Sequence, residues 1–238
     1  NFLVFDTETS GFPGGEVQAH IMQLAAVLVC GETLRELDFL CAYLQLPAGA
    51  VVHPKAAAVT GLTADLVNRE GRPPAEVWRD FSALVGRAGA VVGHNIEFDL
   101  KMCREFVAVH GGDNPVAALP AHCTMKLMTP HCQIPGKWRG SYKWPTCAEA
   151  YRFITCGGSF AGAHDALADV RATAEILRWL VQRRLVRLPD PALDLRATPL
   201  RATSQPAPPA PSPAPAPAPA PSGLKALLAN AYRRTANC

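Results

Sequence analysis

No acidic residue follows Asp194, no two cysteines are spaced as CxxC, and no run of about 18 apolar residues occurs in the 238-residue chain. Each absence excludes something. Without CxxC pairs, the 8 irregularly spaced cysteines read as reduced thiols rather than a disulfide framework, which makes an intracellular location the expectation. Without a long apolar run no membrane-spanning helix is implied, and no signal-peptide pattern opens the chain. The chain starts at Asn1 rather than Met, so a preceding leader is compatible with it and the compartment stays open. The missing acids divide the net charge of +3. Residues 1–194 hold 18 basic and all 20 acidic residues, a balance of −2, whereas Arg196, Arg201, Lys225, Arg233 and Arg234 give the remainder +5. A slightly acidic body does not grip nucleic acid through a broad basic face. It fits acidic residues collected around metal ions. With 49% hydrophobic residues, the chain has enough apolar mass for one good core.

Strand-like and helix-like segments alternate as far as about residue 188. Phe2–Asp6 reads as a strand, and His20–Cys30, nearly all apolar, as a strand buried on both faces. Glu36–Leu46 forms a third, joined to the second by a turn at Gly31-Glu32. Short helical pieces flank Gly61, with Thr63 as the N-cap of the second. The spacing of Val77, Trp78, Phe81, Leu84 and Val85 predicts a helix over Pro74–Ala88. Gly89–Gly93 is a short buried strand, followed by a helix with Asn95 as N-cap and Gly111-Gly112 as its stop. Cys123–Met128 is strand- or helix-like, Thr146–Ile154 a helix, and Asp165 the cap of a last helix carrying Leu167, Val170, Ala174, Leu177 and Val181. The order predicts an α/β domain over 1–188 with a mixed sheet flanked by helices. Twelve of the 22 prolines then fall between Pro189 and Pro221, so 189–222 is expected to be a disordered Pro/Ala-rich linker. Residues 223–238 place Leu224, Leu227, Leu228 and Tyr232 at helical spacing, which fits either a frayed tail or a short helix that folds in a partner's groove.

The stretch "LVFDTETSGFP" raises the chemical question. A strand alternates its side chains, so Asp6 and Glu8 share one face and Thr7 takes the other. Two carboxylates side by side at the end of an apolar strand repel each other. "GHNIEFDL" puts Asp99 one turn into a helix after a buried strand, and "AHDALADV" puts His164 just before a helix carrying Asp169. If the fold gathers these four carboxylates at one sheet edge, bound cations would offset the repulsion. Two divalent ions about 3.5–4 Å apart do so in phosphodiester cleavage. Oxygen-only ligands select Mg²⁺ or Mn²⁺ over zinc. His164, beside the small-residue hinge Ala161-Gly162-Ala163, has the ordinary pKa of a general base.

"FDTETSG", "GHNIEFD" and "HDALAD" together resemble the three motifs of the DnaQ-like 3′→5′ exonucleases of the DEDDh subgroup, which includes the proofreading subunit of bacterial replicative polymerase. "HPKAAAVTGLT" is similar to a family segment ending His-Gly-Ile-Thr, with Thr60 in place of the usual His, and "CTMKLM" and "YKWPTCAEAY" resemble the stretch before the third motif. The resemblance implies an RNase H-like fold and two-metal hydrolysis. Asp6, Glu8, Asp99 and Asp169 would bind the metals, with Asp6 bridging both and Asp99 acting partly through water, and His164 would be the base. Thr9 and the backbone near Thr7 and Glu8 would meet the terminal nucleotide, Leu62 would pack on its base, and Asn95 would help hold the substrate. The expected substrate is a single-stranded DNA 3′ end, released as nucleoside 5′-monophosphates in proofreading or repair. RNA 3′-end trimming and an inactive, polymerase-tethered binding module are the alternatives, and the C-terminal segment is the expected contact for a polymerase or other protein.

Two further groups stand out. His122-Cys123 and His131-Cys132 match no standard zinc spacing and read as ordinary loop residues. Lys137, Trp138, Arg139, Tyr142, Lys143 and Trp144 interleave basic and aromatic residues in a pattern able to track a single strand. Lys137 and Arg139 are the expected substrate contacts, and Trp144 is expected to be a packing residue.

Overall fold

A computed structural model describes residues 1–14, 17–161 and 165–187. The linker and C-terminal helix expected over 189–222 and 223–238 lie outside the described residues, as does His164. The elements run β1 (Phe2–Thr9), β2 (Ile21–Val29), β3 (Glu36–Tyr43), α1 (Pro54–Thr60), α2 (Ala64–Glu70), α3 (Pro74–Val85), β4 (Ala90–Gly93), α4 (Ile96–His110), β5 (Ala121–Cys123), α5 (Thr124–Cys132), α6 (Cys147–Ile154) and α7 (Ala166–Gln182). The sheet has five strands in the order β3-β2-β1-β4-β5. The β1–β2 and β2–β3 pairs are antiparallel, while β1–β4 and β4–β5 are parallel. The mixed sheet expected from the alternating pattern is therefore present.

The strand period sorts β1 between two cores. Leu3 and Phe5 pack with Val77, Phe81, Met102 and Phe106 of α3 and α4. Phe2 and Val4 pack with Ala150 of α6 and Val170, Ile176 and Leu180 of α7. Every residue of β2 is buried, as an interior strand covered on both faces requires. Fully burying an aliphatic or aromatic side chain contributes about 1.5–3 kcal/mol, so this central strand pair, lined by Phe2, Leu3, Phe5, Leu24 and Leu28, anchors the domain.

Local signals placed most helix ends. The Thr63 side chain accepts from Leu66 N–H, and Thr146 with Glu149 forms a reciprocal capping box. Asp165 accepts from Ala168 N–H at the start of α7. Three expectations need correction. The first strand does not stop at Asp6: pairing with β2 continues through Glu8 opposite Gln23, and the register shifts only between Glu8 and Thr9. Both carboxylates thus sit inside the ladder, just before a bulge that re-aims the chain. Asn95 occupies the N-cap position of α4, but with φ 74° its side chain makes no capping bond. Cys123–Met128 is neither one strand nor one helix, since β5 ends and α5 begins between Cys123 and Thr124.

Candidate active site

Parallel pairing of β1 with β4 brings their C-terminal ends to one edge of the sheet, and the acidic residues meet there. Asp6 and Glu8 continue the face of Phe2 and Val4, toward α7 and Asp169. Thr7 continues the face of Leu3 and Phe5, toward α4 and Asp99. The Thr7 backbone N–H donates to Asp99 Oδ1 at 3.0 Å, and the Thr7 hydroxyl donates to the same oxygen at 2.8 Å. Asp99 is only 2% exposed, so these bonds fix the orientation of a buried carboxylate.

The charges at this edge act on one another. Burial, reinforced by the charge of Asp169, pushes the Asp6 carboxyl up to about 7. Burial, then Asp6, Asp169 and Asp165, push Glu8 up to about 8. Asp99 is also raised, first by burial and then by Asp6, against the lowering effect of the Thr7 hydrogen bonds. The fold therefore assembles carboxylates from β1, α4 and α7 that resist being ionised together at neutral pH. Among the described residues, no three His, Cys, Asp or Glu side chains are grouped closely enough to hold a metal ion. The donor chemistry nevertheless fits hard divalent cations, because the converging groups are carboxylates and Asp99 is already oriented by Thr7.

Supporting residues surround the cluster. Gln23, 3% exposed, lies opposite Glu8 in the ladder; its Nε2 donates to Asp165 Oδ2 at 3.4 Å, and its Oε1 accepts from Ala166 N–H at 3.4 Å. It ties β2 to the first turn of the helix that carries Asp169. Its trace in the sequence is a lone amide inside the apolar run "HIMQLAAVLVC". His94, just past β4, was also missed. Its Nε2 lies 2.9 Å from the Pro145 carbonyl, which only accepts, so Nε2–H is the donor there, and its Nδ1 lies 3.0 Å from Thr124 Oγ1. Burial lowers the pKa of this imidazole. His94 clamps the segment after α5 to the carboxylate edge.

The expected nucleotide contacts separate into groups. Thr7 is buried with both donors turned to Asp99, so here it orients a carboxylate. Thr9 is buried and its hydroxyl donates to the Gly11 carbonyl at 2.7 Å. Leu62 packs with Met22, Leu46 and Val67. The Thr60 hydroxyl, at the position where the resemblance expected His, donates to the Ala56 carbonyl and accepts from Leu62 N–H. Asn95, Lys137 and Arg139 are exposed. Trp144 does not pack as expected, being 62% exposed. Its neighbour Pro145 is the buried residue, because its carbonyl is the one His94 holds.

The exonuclease family model RNase_T matches residues 3–177. No curated protein sequence matches the chain. The fold is similar to a moderately thermophilic exonuclease I from Methylocaldum szegediense, with 20% identity and a TM-score of 0.62 over 77% of this chain and 41% of that one. It is similar also to E. coli exonuclease I in complex with a dT13 oligonucleotide, with 20% identity and a TM-score of 0.62 over 77% and 42%. The zinc-bound form of the E. coli exonuclease I–ssDNA complex gives 19% identity and a TM-score of 0.63 over 77% and 41%. The chain thus spans about two fifths of the length of these proteins.

Proposed function

The chain belongs to the RNase_T exonuclease family, within the DnaQ-like group, and from that premise we propose that it is a metal-dependent 3′→5′ exonuclease acting on single-stranded DNA. The observation that carries this reading is the convergence of Asp6 and Glu8 on β1, Asp99 on α4 and Asp169 on α7 toward one sheet edge, where burial raises Asp6, Glu8 and Asp99, with Asp169 adding to the first two and Asp6 to Glu8 and Asp99. Asp6, Glu8 and Asp169, with Asp99 from the opposite face, are the residues that would hold two Mg²⁺ or Mn²⁺ ions. Bound there, such ions would activate a water and stabilise charge on the phosphate.

The chain's own residues supply the rest. Thr7 holds Asp99 in one orientation, and Gln23 with Asp165 sets the start of α7 and so the reach of Asp169. His164 would take the proton of the water that attacks the terminal phosphorus. The bond to the 3′ oxygen of the preceding sugar then breaks, releasing a nucleoside 5′-monophosphate. Thr9, Leu62 and Asn95 remain the proposed contacts of the terminal nucleotide, with Lys137 and Arg139 on the strand behind it. DNA is favoured over RNA because similar folds are seen in exonuclease I complexed with deoxyoligonucleotides. A proofreading or repair role inside the cell, with residues 223–238 contacting a polymerase, belongs to the same proposal.

The test is digestion of 5′-labelled single-stranded DNA and matching RNA with Mg²⁺, Mn²⁺ or EDTA, by the intact chain and by His164→Ala. The expected result is a ladder that shortens from the 3′ end, faster on DNA, abolished by EDTA and weakened about 100-fold or more in the variant. Faster digestion of RNA would transfer the proposal to RNA trimming. Absence of shortening on both strands would leave the inactive binding module.

A further inference from the structure

Between α5 and α6 the chain forms a small, ordered hairpin that exposes aromatic rings. Gly136 N–H donates to the Ser141 carbonyl at 2.8 Å and Lys143 N–H to the Ile134 carbonyl at 2.9 Å, with Pro135 and Tyr142 bridged antiparallel. Ser141 locks the tip: its N–H and its hydroxyl both donate to the Trp138 carbonyl, at 3.0 and 2.7 Å. On this frame Trp138 is 72% exposed, Trp144 62% and Tyr142 48%. Two of the chain's four tryptophans are thus held in water by a segment whose backbone is tied down. Exposed apolar groups clustered in this way mark a contact surface.

The charge around them selects the partner. From Gln133 to Pro145 there are three basic residues and no acidic one, within a body whose balance is −2. Lys143 is paired with Glu149 at 2.7 Å, while Lys137 stands 5.4 Å from the Trp138 ring centre and Arg139 is exposed. Rings alternating with cations match a chain of bases alternating with phosphates. The base of the hairpin lies at the active edge. His94 holds the Pro145 carbonyl, and the Cys147 thiol lies 3.6 Å from Thr173 Oγ1 on α7, within the field of Asp169 and Asp6.

We propose that the hairpin spanning residues 134–144 is a stacking platform that grips the single strand upstream of its 3′ end, with Trp138 and Trp144 as base-stacking residues and Lys137 and Arg139 on the phosphates. This rests on the exonuclease reading above and adds to it where the unreacted strand is held. The platform gives the enzyme a preference for strands long enough to reach it and for bases free to unstack.

The test uses the full chain in EDTA, so that binding is read without cleavage, with fluorescein-labelled oligothymidylates from a dinucleotide to about 16 nucleotides. Trp138→Ala and Trp144→Ala should each weaken binding of the longest oligomer roughly ten-fold, and Trp138→Phe should retain most of the affinity. The loss should grow with strand length and be smallest for the dinucleotide. Tryptophan emission of the parent chain should be quenched as the long strand binds. Unchanged affinity in both alanine variants would overturn the proposal and assign the surface to a protein contact. An equal loss at every length would overturn it in favour of a structural role. If the parent chain binds as expected in EDTA but shortens no strand once Mg²⁺ or Mn²⁺ replaces the chelator, the exonuclease reading fails and the platform stands.

Discussion

The C-terminal edge of the sheet and the hairpin at 134–144 break opposite rules of folding. At the edge, Asp99 is buried and Asp6 and Glu8 are partly so, with their pKa values raised by burial and by neighbouring acids. In the hairpin, Trp138 and Trp144 are exposed on a frame of backbone hydrogen bonds. A domain without ligands gains nothing from either arrangement: the first costs electrostatic energy, and the second forgoes apolar burial. The two violations have different complements. Crowded carboxylates are relieved by cations, and exposed rings between basic residues by stacked bases. One short connection, from Pro145 held by His94 to Cys147 beside Thr173, joins the two regions.

The sharpest way to break the comparison is to remove one buried charge. Asp6→Asn deletes a proposed metal ligand and should lower exonuclease turnover by more than the ~100-fold that changes to supporting residues around a metal typically cost. The same substitution removes a source of repulsion, so the metal-free chain should melt at a higher temperature at about pH 8 than the parent. Turnover and thermal unfolding, read side by side, check this. A variant that loses both activity and stability would make Asp6 an ordinary structural residue.

A second expectation concerns pH without metal. The folded-state pKa values of Asp6 and Glu8, about 7 and about 8, stand above their ordinary values of 3.8 and 4.5. The folded state therefore holds more protons than the unfolded chain between those limits. The stability this provides is full below the ordinary values and is lost as pH rises through the folded ones, at on the order of 1 kcal/mol per pH unit for each group. In EDTA the melting temperature should fall from about pH 5 to about pH 9, and Mn²⁺ should restore it at the alkaline end. A flat profile in EDTA would mean that the edge carries no stored repulsion.

The smallest expected effect is on the hairpin frame. A Cβ added at Gly136 would meet Ser141 Oγ at 2.5 Å and its carbonyl oxygen at 3.1 Å, so Gly136→Ala must open the tip. Binding of a long single strand in EDTA should weaken several-fold, by less than the loss of a ring itself, which is worth about 1–3 kcal/mol. Melting should shift little, because the hairpin contributes no residue to the main buried clusters.

Much of this architecture was legible in local pattern. The alternation in "LVFDTET" put Asp6 and Glu8 on one face, and the caps Thr63 and Asp165 announced their helices, because such signals depend only on neighbours along the chain. Asn95 read as an N-cap and does occupy that position, but its left-handed backbone leaves the side chain without a capping bond. Trp144 read as a packing residue, but Pro145, whose carbonyl His94 holds, is the buried neighbour and the indole stays outside.

By itself the sequence determined the strand and helix periods and the mixed sheet, since periodicity is a property of neighbouring residues. The tertiary structure alone decided that Thr7 spends both donors on Asp99 across 92 residues of chain. It also decided that Gln23 reaches α7, and that the hairpin rises from the acidic edge. These are contacts between distant segments, fixed by strand register and by which faces pack together, and neither can be read from one stretch of chain.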